Sequence, residues 1–251
     1  SSTTQVNAGK KLNEAIDAYT YVGFENMFRG SQDEIRARMG DYLHLFEGAS
    51  DVLDVGCGRG EFLDLLREAG VTARGLDING EMIEACHARE LTAEVGDALG
   101  YLEQQKDRSL GGLFAAQVVE HLQPDYLVRL LGVAGRKLRP GSTIVLETVN
   151  PACWFAFFDA YIRDITHVRP LHPDTLKYLL TASGFQKTSI RYSAPYPEDA
   201  KLQHIAIPKT NSDDQRDPAL VDAVSTLNTN VDKLNQLIFT HLDYAAIGQL
   251  L

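Results

Sequence analysis

The sequence predicts an α/β fold: a doubly wound, mostly parallel sheet with helices on both faces. Three observations carry that reading. The apolar run Val52-Leu53-Asp54-Val55 stops at Gly56-Cys57-Gly58-Arg59-Gly60 and gives way to helical spacing at Phe62, Leu63, Leu65 and Leu66, the pattern of a buried strand, a glycine turn and a helix. Further units of a short apolar run followed by a helical pattern come after it, and four such units in series call for right-handed crossovers in a parallel sheet. The chain has 251 residues, 44% of them hydrophobic, enough for one substantial core rather than two equal domains.

In chain order, residues 1–30 are read as an N-terminal extension with weak helical spacing at Leu12, Ile16 and Tyr19, then an aromatic cluster from Tyr21 to Phe28 that ends in Arg29. Ser31 and Glu34 have capping-box spacing for a helix carrying Ile35, Met39, Leu43 and Phe46. A core domain is expected over 31–195. Its first strand ends at Val55 and its second runs from Ala73 to Asp77, followed by Ile78. A helix from about Gly80 carries Met82, Ile83 and Cys86. A third strand over Leu91–Val95 closes on Gly96-Asp97-Ala98. A fourth, Leu113–Val119, runs into Glu120-His121-Leu122. The helix from about Asp125 to Lys137 leads through the turn Leu138–Ser142 to a fifth strand, Thr143–Thr148. An insertion at 150–173 holds the single Trp and two of the seven His. A helix over Pro173–Ala182 and a sixth strand over Gln186–Tyr192 complete this region.

The remainder, 196–251, reads as a polar linker and a long helix at 219–241. Leu220, Val224, Leu227, Val231, Leu234 and Ile238 alternate spacings of four and three, an a/d seam of nearly three heptads. Dimerisation through that seam and docking on the chain's own domain both remain open. Tyr244-Ala245-Ala246-Ile247-Gly248 reads as a seventh strand, with a tail helix as the competing reading.

Composition narrows the function. A formal charge of −10 argues against broad binding to nucleic acid, which needs a basic face, and leaves room only for a local basic patch. Three scattered cysteines, Cys57, Cys86 and Cys153, fit neither a disulfide framework nor a C-x-x-C zinc site, so a cytoplasmic setting is expected. No apolar run reaches the ~20 residues of a membrane helix, and the opening Ser1-Ser2-Thr3-Thr4 has no signal-peptide pattern. Because it is not an initial Met, flanking domains are expected.

The spacing G-x-G-x-G differs from the G-x-G-x-x-G of dinucleotide folds, and no G-K-S/T follows to make a P-loop. Glycines let a ligand lie against bare backbone, and the start of the next helix favours polar or anionic groups. Asp77, at the end of the second strand, can accept hydrogen bonds from both hydroxyls of a ribose, or else cap the helix beginning near Gly80. With Asp54 inside the first strand end, D-V-G-C-G-R-G resembles the first motif of class I S-adenosylmethionine (SAM) methyltransferases, which are Rossmann-like with seven strands. The K-L-R-P-G before the fifth strand is similar to theirs as well. The resemblance covers roughly Asp51 to Arg191.

It implies SAM as cofactor, held by Asp54, Gly56, Cys57, Gly58, Gly60, Asp77, Ile78, Asp97, Ala98 and Gln117. Asp97 would meet the adenine amino group, with helix N-capping as its other role. Arg29 would clamp the methionine carboxylate, or else be a surface arginine over an aromatic core.

Glu120-His121 stands where a doubly wound sheet faces its crevice. A hydroxyl is a poor nucleophile until its proton is accepted, by a His of near-neutral pKa or with the help of a divalent metal. The segment V-x-E-H-L resembles that of ubiquinone-type and small-RNA O-methyltransferases. In several of those a Glu-His pair and a further His from the insertion hold a divalent metal. The resemblance therefore implies Glu120, His121 and His167 as catalytic groups and as ligands for a metal such as Mg. Gln117 stands where the RNA group has a Glu. The other reading has Glu120 as a cap and His121 as packing; His172 is read as structural or a cap.

A narrower resemblance rests on Phe24–Ser31, Thr166–Pro173 and Asp243–Gly248, which look like bacterial methyltransferases that modify cell-envelope glycans. It implies a sugar hydroxyl in a glycan as acceptor, reached through the aromatic insertion. An RNA 2′-O-methyltransferase, a quinone-type O-methyltransferase and a non-catalytic scaffold acting through the long helix are the alternatives.

Overall fold

The computed structural model describes residues 32–207 and 217–251. Arg29, the rest of the N-terminal extension and the Ser31 half of the capping box lie outside the described residues. The first helix, α1, spans Gln32–Gly40, and a 3-10 turn over Leu43–Phe46 follows. The single helix expected through Phe46 is therefore broken at Gly40, and Ile35, Met39 and Phe46 are buried from two separate pieces.

The core then alternates strand and helix: β1 Val52–Val55, α2 Glu61–Glu68, β2 Ala73–Asp77, α3 Gly80–Ala88, β3 Ala93–Val95, α4 Ala98–Gln104, β4 Leu110–Ala116, α5 Pro124–Lys137, β5 Leu138–Val149, α6 Pro173–Ala182, β6 Gln186–Pro195, α7 Pro218–Ile238 and β7 His241–Gln249. The seven strands form one sheet in the order β3-β2-β1-β4-β5-β7-β6. Pairing is parallel from β3 through β5, and β7 is antiparallel to both of its neighbours. The seventh strand is thus confirmed against a tail helix, and it inserts residues 241–249 between β5 and the edge strand β6.

Both faces are covered because strand side chains alternate. Leu53, Leu113, Ala115, Ile144, Leu146, Tyr244 and Ala246 pack toward α4, α5 and α6. Val52, Phe114, Ala116, Val145 and Ala245 pack toward α1 and α2. On that second face the rings of Phe62 and Phe114 stack at 3.9 Å, and Phe46 meets Phe62 edge-on at 5.6 Å.

Five strands differ in their bounds from expectation. β3 starts at Ala93 rather than Leu91, and β7 runs from His241 to Gln249, beyond Tyr244–Gly248 at both ends. β4 begins and ends three residues early, because Gln117 takes a left-handed φ of 56° and Val119–His121 coils into a 3-10 turn. β5 starts at Leu138, since Leu138 pairs with Leu110 across an irregularity in the ladder. β6 continues to Pro195 through pairing with His241.

α7 contributes no buried residue. Its polar side grips an extended segment. Asn235 accepts from the Leu202 amide at 3.0 Å and donates to the Leu202 carbonyl at 2.8 Å. Asn228 does the same for Ile205, at 2.8 and 3.0 Å. Leu220, Leu227 and Leu234 of the apolar seam remain exposed. No helix among the described residues is long and apolar enough to cross a membrane.

Candidate active site

The chain leaves β1 toward β2 and β3 and returns as β4 on the other side, so a crevice opens at the carboxyl ends of these strands. A cavity of about 370 Å³ fills it, lined among others by Gly56, Asp77, Ile78, Asp97, Gln117 and His121. Of the glycine loop, Gly56 lines the cavity, while Gly60 is held against Leu91 and Cys86 on the other side. Gly56 has φ +68°, and a Cβ there would meet Val118 Cγ2 at 2.4 Å; Gly60 has φ +83°, and a Cβ would meet Leu91 Cδ1 at 2.5 Å. Only glycine serves at both. The loop's own amides are already engaged: Gly56 and Cys57 donate to the Leu76 carbonyl, Gly60 to the Cys57 carbonyl, and Gly58 to Asp77. The loop therefore offers a bare surface rather than a ring of donors.

Asp77 is pinned at the end of β2, accepting from Gly58 N at 3.0 Å and from Asn79 N at 2.9 Å. It does not cap the next helix. Asn79 does, accepting from Glu81 N at 2.9 Å. The exposed side chain of Ile78 stands at the rim beside it. Asp97 is the N-cap of α4, bonded by Gly100 N at 2.7 Å, and it also accepts from the Tyr126 hydroxyl at 2.6 Å. Burial and that bond to Asp97 push the Tyr126 hydroxyl up to about 12. Ala98 lines the cavity with them.

Asp54 is buried within β1. Cys57 turns its thiol away into a small cluster with Leu63, Ile83 and Cys86, so only its backbone belongs to the loop surface. Gln117 reaches from the cavity to Asp243, Nε2 to Oδ1 at 3.3 Å.

At the crevice edge the insertion folds back. Val168 N donates to the Glu120 carbonyl at 2.8 Å, which draws His167 toward the 3-10 turn after β4. One ligand atom each of Glu120, His121 and His167 then lies within 4.8 Å of the others. The His121 and His167 rings are 4.7 Å apart, and Tyr161 stacks on His167 at 4.5 Å from the end of a π-helical stretch, Ala156–Tyr161. His167 Nδ1 meets the Tyr161 carbonyl at 2.7 Å. A carbonyl only accepts, so Nδ1 carries the hydrogen and the lone pair of the neutral ring sits on Nε2.

Glu120 is 1% exposed. Burial raises its carboxyl to about 8; its own backbone N–H and the nearby Thr148 pull the other way, while neither oxygen closes a hydrogen bond of good geometry. A buried carboxyl without partners demands a proton or a counter-charge. His172 is apart from this group and caps α6, accepting from Asp174 N at 3.2 Å.

Sequence reasoning assigns no role to Tyr126, whose hydroxyl reaches the site only because α5 packs beside α4, or to the carboxylates behind Gln117. There Tyr42 donates to Glu147 at 2.5 Å and Arg38 pairs with Asp243 at 3.2 Å.

A family model described as a methyltransferase domain matches residues 24–190. The chain belongs to the SAM-dependent methyltransferase family. A solved structure from Archaeoglobus fulgidus, a SAM-dependent methyltransferase, is 38% identical with a TM-score of 0.82, over 91% of this chain and 99% of that one. A ubiquinone biosynthesis O-methyltransferase of Paracidovorax citrulli is 25% identical over 60% of this chain and 65% of its own length. A Mycolicibacterium smegmatis protein named a probable S-adenosylmethionine-dependent methyltransferase is 29% identical over 54% of this chain and 52% of its own. The chain thus spans about half to two thirds of the length of these two curated relatives.

Proposed function

We propose that this methyltransferase transfers the methyl group of SAM to a hydroxyl oxygen, with Glu120, His121 and His167 accepting the proton. The observation that carries the reading is the meeting of those three side chains at the edge of a cavity that His121 itself lines. When bound, SAM supplies an electrophilic methyl group. The glycine surface at Gly56, Gly58 and Gly60, the fixed Asp77, and Asp97 with Ala98 and Ile78 would hold it. Arg29 is assigned the methionine carboxylate on the sequence resemblance.

The oxygens of Glu120, which close no hydrogen bond of good geometry, and the Nε2 lone pair of His167 fit a divalent cation; the sequence resemblance names Mg, while two imidazoles and one carboxylate suit a transition metal such as Zn or Fe better. Held by Glu120, His121 and His167, it would supply positive charge that makes a nearby hydroxyl easier to deprotonate. Without it, a neutral imidazole can take the proton directly.

The acceptor we assign is a sugar hydroxyl of an envelope glycan. Trp154, Phe158 and Ile162, exposed along the insertion beside His167, would pack on its apolar face. A phenolic hydroxyl of quinone type is the second reading, favoured by the ubiquinone-biosynthesis relative. The exposed seam of α7 would take a second copy of the chain. Val224, Val231 and Ile238 fall at a, and Leu220, Leu227 and Leu234 at d, the alternation that favours parallel two-stranded pairing. A cytoplasmic setting agrees with the three free cysteines.

The test is transfer of labelled methyl from SAM to glycan, to a polyhydroxybenzoate and to RNA, with and without a chelator. We expect label in glycan that falls on chelation, and His121→Ala should lower turnover by about 10²-fold or more while SAM affinity stays within about twofold. Label in the phenol alone transfers the assignment to the second reading. Label in none, with SAM bound, overturns hydroxyl methylation of these acceptors.

A further inference from the structure

The geometry points to Thr166 and Asp164 as positioning residues that fix the orientation and tautomer of His121. The inference rests on the reading of His121 as an acceptor-facing group. Asp164 Oδ1 takes two bonds from the same residue, Thr166 N at 2.8 Å and Thr166 Oγ1 at 2.6 Å. Thr166 Oγ1 is in turn 3.0 Å from His121 Nδ1. A hydroxyl has one hydrogen and a carboxylate accepts only, so the hydrogen of Thr166 is committed to Asp164. Toward His121 the hydroxyl oxygen can then only accept. Nδ1 must carry the hydrogen, and the lone pair of the neutral ring is placed on Nε2.

Two residues forty-odd positions away thus decide which nitrogen of His121 meets the crevice. The other oxygen of Asp164, Oδ2, lies 3.8 Å from His167 Nε2, beyond hydrogen-bond distance. One carboxylate thus lies near both imidazoles and is linked by hydrogen bonds only to His121, through the hydroxyl. Such outer partners orient a histidine whether it accepts a proton or ligates a metal, and their loss typically costs about 10- to 100-fold. Sequence position gives no hint of this link, because Thr166 and His121 meet only when the backbone of Val168 docks on Glu120.

The test compares Thr166→Val, Thr166→Ser and Asp164→Asn in the full chain. Nitrogen-15 NMR of the His121 ring, assigned by the signals lost in His121→Gln, reads the tautomer without any acceptor. The wild type should show hydrogen on Nδ1, Thr166→Val a mixture of tautomers, and Thr166→Ser the wild-type pattern. Turnover should fall about 10- to 100-fold in Thr166→Val and recover in Thr166→Ser, with the KM for SAM unchanged within about twofold. An unaltered tautomer in Thr166→Val, or a Thr166→Ser as impaired as Thr166→Val, overturns the inference. If no acceptor takes label, the proposed function fails on its own account, and the ring spectrum still decides this one.

Discussion

Asp243 is a buried acid with an awkward neighbourhood. Burial first, and then the like charge of Glu147, push its carboxyl up to about 7; Arg38 and Gln117 pull the other way. The folded chain therefore holds a proton that the unfolded chain has released across roughly pH 4 to 7. Stability from this group is fully present below pH 4 and is lost as pH rises through 7. Asp243→Asn removes that dependence. Its urea midpoint should fall less between pH 5 and pH 8 than that of the wild type, and equal slopes would remove Asp243 from the account. Other residues sort by how local their signal is. Gly56, Gly60 and Asp77 were legible because a strand, a glycine turn and an acidic strand end lie within a few tens of residues and obey known spacing. The roles of Thr166, Tyr126 and Asp243 were not, since each acts through a partner 29 to 126 positions distant, and no period in a sequence encodes such a distance.

The glycine loop between β1 and α2 does at the scale of an element what no side chain could. Its first residue combines φ +68° with a Cβ position 2.4 Å from Val118 Cγ2, and Val118 lines the same cavity. Gly56→Ala should therefore cost about 1–3 kcal/mol from backbone strain alone, lower the melting temperature and weaken SAM binding measured by calorimetry. Unchanged SAM affinity would show that the loop adjusts freely. Strand ends were the least legible part of the elements. β4 stops before Gln117 because the chain must turn there to deliver Glu120 and His121 to the crevice, although Val118 and Val119 continue the apolar run that a strand would show. Here tertiary demand overrides β propensity.

For the whole molecule, one sheet carries the cavity while α7 stands off it, held by Asn228 and Asn235. If a second copy pairs along the seam, Leu227→Asp should turn a dimer into a monomer in sedimentation. Loss of the paired leucines, one from each copy, is worth roughly 3–6 kcal/mol. A wild type that sediments as a monomer at micromolar concentration would contradict the pairing. The placement of β7 has a consequence for how the chain reaches this state. Thr143 pairs with Gln249 across more than a hundred residues, and β7 must slip between β5 and β6. Until it does, two long strands show bare edges to the solvent, the condition under which chains recruit one another. A form clipped before β7 should therefore aggregate more readily than the whole chain, and an added peptide matching β7 should suppress that aggregation.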